Sequence, residues 1–336
     1  MFRVNSVARM SDRQLDRSIK RLGVLFLVLL VAFIAFYVVD RYRDPGPTMI
    51  DRNIIELEEA VRTDPADVVA RGRLADMYVA ATRYDEAIVQ YDAILETGKE
   101  TELAHFGRAK AYMGTGALDA AAADYEAVVE IAKDGEMAHV DPLLNAAYFG
   151  LGSIALEQGR PDDAVEQLTL AVNIRRSDAD SLNLLGLALV QTGEPEQAVE
   201  ILQRAVAFVP LGWVEPYETM ALAYTDLGQQ ARAEWAGAMA DLSANRPEEA
   251  RTRLLAITEG DAALDAAIGL ALVAETQGDF PAAVEWYTKA LAIDPENAAA
   301  RLGLTRVGDP AASAPAASGA PLPALPEPGS VDGGEG

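Results

Sequence analysis

A spacing of 34 residues constrains this chain more than anything else in it. Residues 278–297 read GDFPAAVEWYTKALAIDPEN, and 193–210 read GEPEQAVEILQRAVAFVP, with Gly, Ala and Pro at the same offsets. The segment 159–176, GRPDDAVEQLTLAVNIRR, fits the same frame: Gly159 and Gly193 are 34 apart, and so are Ala164 and Ala198. A fixed period of this size means stacked supersecondary units, each unable to bury its apolar face alone. Length alone suggests about two domains. A repeat array grows in one dimension and escapes that rule.

Charge divides the chain unevenly. The whole carries −24, yet Arg3, Arg9, Arg13, Arg17, Lys20 and Arg21 outweigh Asp12 and Asp16 over residues 1–21 to give +4, which leaves −28 for the rest. Such a body repels phosphate backbones, which argues against direct nucleic-acid binding. It steers basic partners towards itself, and the plainer reading of the same charge is a set of solvated helix faces. The absence of cysteine removes disulfides, thiolate metal sites, a Cys nucleophile and a lipidated Cys anchor.

Residues 22–39, LGVLFLVLLVAFIAFYVV, hold no charge. As a helix they span roughly 27 Å, enough for a bilayer core. Tyr37 and Tyr42 fall where amphipathic rings favour the far interface. A signal peptide has a shorter apolar run ending in small residues, whereas this one exits into Asp40-Arg41-Tyr42-Arg43-Asp44. The pattern predicts an uncleaved single-pass transmembrane helix in contact with lipid. Six basic residues before the span against Arg41, Arg43 and Arg52 after it predict a cytoplasmic N-terminus. The repeats then lie in the periplasm or another extracytoplasmic space. Residues 40–49, with Pro45-Gly46-Pro47, read as a linker. The stretch 308–336, rich in Ala, Pro, Gly and acid, reads as a disordered tail.

Residues 50–307 resemble the tetratricopeptide repeat family on specific positions. In 145–178 these are Tyr148, Leu151, Gly152, Gly159, Ala164, Leu168 and Ala171; in 179–212 they are Leu182, Leu185, Gly186, Gly193, Ala198, Leu202, Ala205 and Pro210. Residues 264–297 repeat them with Leu270, Ala271, Gly278, Ala283, Tyr287, Ala290 and Pro295. Residues 68–101 supply Leu74, Ala75, Tyr78, Ala87 and Tyr91, with Thr82 where the turn Gly belongs, and 102–135 supply Ala109, Tyr112, Gly116, Ala121 and Tyr125. Residues 50–65 fit a lone second helix and 298–307 a capping first helix. The frame departs twice: about nine residues are inserted around 131–141, and Arg246-Pro247-Glu248-Glu249-Ala250 stands 17 residues out of phase, so that a helix near 230–244 serves two units.

The resemblance implies an all-α fold, a right-handed α-solenoid of about six helix–turn–helix repeats behind one transmembrane helix. Small residues at helix contacts, large ones such as Tyr91, Tyr125 and Tyr287 between units, and Gly at turns needing positive φ follow physically. Bulk at Ala198 is expected to overpack.

Raw material for catalysis is thin. Gly150-Leu151-Gly152-Ser153-Ile154-Ala155 fits a loose dinucleotide pattern, but that pattern needs a strand before it, and here it falls inside a repeat helix. His105 takes a repeat core or shoulder position; His139 lies near Asp134, Glu136 and Asp141, where a metal site or pH switch competes with a plain loop histidine. No Ser/His/Asp set, P-loop or zincin motif occurs. The expectation is a binding protein, not an enzyme, with no catalytic residues, cofactor or metal.

Carried over by register, the family's concave groove includes Phe106, Lys110 and Met113; Phe149, Ser153 and Leu156; and Asn183, Leu187 and Val190. This groove would accept a partner protein's apolar helix or extended segment, with basic residues favoured by charge. The expected function is a membrane-tethered interaction scaffold or assembly factor. A permanent structural subunit of a larger membrane complex and a cytoplasm-facing adaptor are the alternatives.

Overall fold

The computed structural model describes residues 12–42, 48–208 and 211–308. About half of the basic N-terminal segment, half of the 40–49 linker, Pro210 and nearly all of the 308–336 tail lie outside the described residues. Among the described residues there are sixteen α-helices, a short 3-10 turn at Ala138–Val140, and no strand. They fall into two units, residues 1–90 and 91–336.

In the first unit α1 runs Asp12–Tyr42, α2 Met49–Thr63 and α3 Val68–Ala80, with α4 beginning at Tyr84. The 22–39 span is therefore part of a longer helix, and its most apolar 18-residue window is Lys20–Tyr37, mean hydropathy 2.1. Every residue of that window is exposed. Thr48 caps α2 in a reciprocal box: its Oγ1 accepts from the Asp51 amide at 3.2 Å, and its own amide donates to Asp51 Oδ2 at 2.8 Å. Those bonds hold the Asp51 carboxyl below its usual range. Ile54 and Leu74 form the buried contact side of α2 and α3. The turn after α3 uses Thr82 at φ 58°, a conformation that strains a β-branched residue and that Gly would enter freely.

The second unit contains the rest of α4 (Tyr84–Leu95) and then α5 (Thr101–Thr115), α6 (Leu118–Ala132), α7 (Pro142–Glu157), α8 (Pro161–Ile174), α9 (Ala179–Thr192) and α10 (Pro195–Phe208). It continues with α11 (Glu215–Asp226), α12 (Gln230–Ser243), α13 (Pro247–Leu255), α14 (Ala263–Thr276), α15 (Phe280–Ile293) and α16 (Ala298–Gly308). Each helix packs on the next, and first helices also touch one another, α7 on α9 and α9 on α11. Gly116, Gly159, Gly193, Gly228 and Gly278 take positive φ at the turns within hairpins. Pro161, Pro195 and Pro247 open their helices, where a missing N–H costs nothing.

Both frame departures have structural meaning. The inserted residues carry the 3-10 turn, which packs on α8, and end in Asp141, whose Oδ1 accepts from the Leu143 and Leu144 amides to start α7. The out-of-phase α13 works because α12 packs on α11 as a second helix and on α13 as a first helix. A helix covered on two sides needs small residues on both: Ala233, Ala236, Ala238 and Ala240 are all buried. Asn245 replaces Gly at the turn between α12 and α13, at φ 60°.

The repeats interlock through one bulky residue on each second helix, in two alternative ways. Where it is Tyr, it fills a notch in the following first helix. A Cβ on Gly107 would stand 2.3 Å from Tyr91 Cζ, one on Gly150 2.5 Å from Tyr125 Cε2, and one on Gly303 2.2 Å from Tyr287 Cζ. Where it is Leu168 or Leu202, the notch moves into the same hairpin, whereas Leu254 of the out-of-phase α13 stands 3.0 Å from a Cβ on Gly269 of the following α14. A Cβ on Gly152 would stand 2.4 Å from Leu168 Cγ, and one on Gly186 2.5 Å from Leu202 Cγ. The register position of Gly152 is Ala in the Tyr-type hairpins (Ala109, Ala271), and that of Gly150 is filled by Leu184 after Leu168 and by Thr219 after Leu202. Volume is thus exchanged across a unit instead of added, as close packing requires.

Two outcomes follow from this core. Ala198 is 0% exposed, so Ala198→Leu should cost about 1–3 kcal/mol by overpacking, seen as a lower melting temperature. Burial pushes the Tyr125 and Tyr217 phenols from 10.0 up to about 12. A phenol whose folded pKa is raised stabilises the fold fully below its unfolded pKa and loses that contribution as pH climbs to the folded value. Unfolding should therefore set in between about pH 10 and 12, with the last of the tyrosinate absorbance and the loss of helical circular dichroism rising together. All eleven tyrosines ionised at about pH 10 with the helices intact would contradict the burial.

Candidate partner-binding face

The nine groove residues sit on three consecutive first helices: Phe106, Lys110 and Met113 on α5; Phe149, Ser153 and Leu156 on α7; Asn183, Leu187 and Val190 on α9. Steps of four and three residues put each trio on one stripe of its helix. Lys110 is exposed and the other eight are half-buried. Phe106 is edge-on to Tyr125 (centroids 5.9 Å apart), and Lys110 Nζ lies 5.8 Å from its ring centre. Phe106 and Met113 lean on the core around Tyr125 and Val128, while Phe149, Leu156 and Val190 lean on the core around Leu168 and Leu189. These five thus hold helices together with one side and keep the other side open. Asn183 Oδ1 is buried and lacks a hydrogen-bond partner.

Two exposed leucines extend the face beyond the residues picked from sequence. Leu222 (56% exposed) holds on α11 the register position of Lys110, Ser153 and Leu187, and Leu103 (58%) precedes Phe106 on α5. The repeat frame was the signal for Leu222. Towards the C-terminus the face turns acidic, with Asp180 on α9, Glu215 and Glu218 on α11, and Asp265 on α14. Burial raises the Asp265 carboxyl above its usual range, against the pull of the Arg232 charge.

His105 belongs to an ion cluster inside the α5–α6 hairpin. Asp124, 3% exposed, accepts from Arg108 Nε and Nη2, each at 2.7 Å, and lies 2.7 Å from His105 Nδ1. Arg108 Nη1 donates to Asp92 on α4 at 2.5 Å. The two carboxylates push the Arg108 guanidinium further up, so it stays charged. His139 is exposed within the 3-10 turn, and no cluster of metal-ligating side chains occurs among the described residues. The Gly150–Ala155 motif lies within α7, its glycines closed off by Tyr125 and Leu168, so no phosphate could approach their backbone.

Comparison with known proteins agrees with this architecture. The tetratricopeptide repeat profile matches residues 72–136, 138–179, 149–212 and 236–298, more than half of the chain. The chain belongs to the tetratricopeptide repeat family. Cellulose synthase 1 operon protein C of Komagataeibacter xylinus is 30% identical over 153 residues, 45% of this chain and 11% of that protein. The chain therefore spans about a tenth of the length of this curated relative. Among solved structures, the C-terminal part of a repeat-containing protein from Cytophaga hutchinsonii is 18% identical over 76% of this chain and 96% of that chain, with a TM-score of 0.48. The MamA protein is 21% identical over 54% of this chain and 94% of its own, with a TM-score of 0.47. Both scores lie under 0.5, so family membership rests on the repeat match.

Proposed function

We propose that this protein is a membrane-tethered scaffold or assembly factor that holds a partner protein's segment on its first-helix face. The observation that carries the reading is the stripe of half-open apolar side chains at one register on α5, α7 and α9, continued by Leu222. A protein that needed these residues only for packing would close them off. The acid at the C-terminal end of the face favours a partner segment with basic residues beside apolar ones. Tethering is supported by α1, whose exposed apolar window has the length of a bilayer core. The basic flank before it favours a cytoplasmic N-terminus and repeats in the periplasm or an equivalent space. A relative encoded in a cellulose synthase operon suits partners in an envelope or membrane complex.

A photo-crosslinking residue in place of Phe149 should trap a discrete partner, identified by mass spectrometry. The product should vanish when Leu187→Glu places a charge on the stripe. Equal trapping from Glu196, exposed on α10, would sink the assignment of the face. Protease added to intact spheroplasts should digest the repeats, and full protection would reverse the orientation.

A further inference from the structure

The first unit begins on half a repeat. α2 has the register of a second helix, in which Asn53, Leu57 and Ala60 stand where α8 has Ala164, Leu168 and Ala171. Those three residues of α8 are 0% exposed, covered by their own first helix. On α2, Asn53 and Ala60 are exposed and Leu57 is half-buried. An open cleft of about 540 Å³ runs along this face, bounded by Glu56, Leu57 and Ala60 of α2 and by Val69, Arg73 and Met77 of α3. It is the slot that a first helix occupies in every complete repeat.

The second unit ends on the opposite half. α16 has the register of a first helix and buries Ala300, Gly303 and Val307 against α15. Its Arg301, Leu304 and Thr305 stand where α9 has Leu182, Leu185 and Gly186, the residues that meet a second helix. Arg301 and Thr305 are exposed, and no second helix follows among the described residues.

The two free halves also match in charge. In two hairpins the residue at the Arg301 register reaches one particular residue of its second helix. Arg71 on α3 donates through Nη1 to Gln90 Oε1 at 2.8 Å, and His105 on α5 lies 2.7 Å from Asp124. On α2 that residue is Glu56, which is exposed. Arg71 and Arg301 are held alike, each donating Nε at 2.9 Å to the carbonyl of the proline six residues before it, Pro65 or Pro295. The rest of the Arg301 guanidinium turns to Glu296 at 2.6 Å, a fully surface pair that is cheap to exchange.

We propose that α16 of one molecule docks on α2 of a second copy and completes a repeat between them. Arg301 then faces Glu56, and Thr305 meets Leu57 at the register where Gly186 meets Leu202; its Cβ requires the half-buried Leu57 to turn aside, which the open cleft allows. The two surfaces differ, so the contact is head-to-tail and leaves a free α2 and a free α16 for further copies. It uses neither the first-helix face nor its partner, and it stands or falls separately from that reading.

The test uses the full chain in mild detergent. Because the protein has no cysteine, Leu57→Cys and Thr305→Cys in one chain introduce the only thiols. Oxidation should give a ladder of dimers, trimers and larger species that collapses on reduction, while each single variant yields dimers at most. Added singly to the double-cysteine chain, Glu56→Arg or Arg301→Glu should cut the ladder roughly three- to tenfold, and the two together should restore it. Unchanged helical circular dichroism establishes that the variants fold. A double-cysteine chain that stays monomeric on oxidation, a ladder indifferent to the charge changes, or a charge swap that fails to restore it overturns the proposal. So does a chain that remains monomeric and takes up another protein's helix in that cleft.

Discussion

Asp124→Ala is expected to destabilise the α5–α6 hairpin by about 3 kcal/mol, the lower end of the cost of orphaning one partner of a buried ion pair. Asp124 accepts both nitrogens of one edge of the Arg108 guanidinium and also meets His105. Its loss leaves Arg108 tied only to Asp92, whose side chain is 47% exposed. The estimate sits low because Arg108 itself is 21% exposed and can turn part of its charge to water. Asp124→Asn keeps one acceptor and the side chain's shape, so it should cost clearly less. Asp124→Leu with Arg108→Leu removes both charges and should recover much of the loss, since the pair's stability is largely the avoidance of an uncompensated charge. Urea unfolding followed by circular dichroism supplies the three midpoints. An Asp124→Ala midpoint no lower than that of a surface change such as Glu130→Ala would refute the account.

That cluster marks the boundary of what one sequence can convey. The 34-residue frame located the hairpins, the lone second helix at α2 and the capping first helix at α16. It also located the slip near 230–244, because Gly, Pro and small residues mark local events: a turn, a helix start, a close contact. Thr82 and Asn245 were harder. Neither is Gly, yet both take positive φ, and only the frame shows that a turn residue is due at Thr82. The partners of His105 were invisible for another reason. Arg108 and Asp124 lie on opposite helices, 16 residues apart, and a charge on an amphipathic helix reads as solvent-facing until the hairpin closes over it. A basic residue early in a first helix set against an acid in the second was the available signal. The nine groove residues fall on α5, α7 and α9, but their half-burial reflects neighbours one hairpin away, which spacing does not give. The segment α1 shows the reverse limit: its apolar run is plain in the sequence, whereas its surroundings belong to the membrane question.

The interlocking of Leu168 with Gly152 predicts a non-additive pair. Leu168→Ala alone should cost about 2–5 kcal/mol, towards the upper part of that range. The side chain is 0% exposed, and the residue it covers has no Cβ that could relax into the void. Gly152→Ala alone should cost about 1–3 kcal/mol, because the new methyl meets the branched Cγ of Leu168 at 2.4 Å and not a mobile chain end. The better helix propensity of Ala offsets at most about 1 kcal/mol of this. In the double variant the methyl on residue 152 enters the space that the leucine vacated. The pair should then be less destabilised than the sum of its members by about 0.5–3 kcal/mol. The same cycle on Gly150 and Leu168 should show no such recovery, because the notch at Gly150 holds Tyr125 of the preceding hairpin. Additive midpoints at residues 152 and 168 would mean that the two notches are not alternative solutions to one packing problem, and the rule linking each bulky residue to its glycine would be lost.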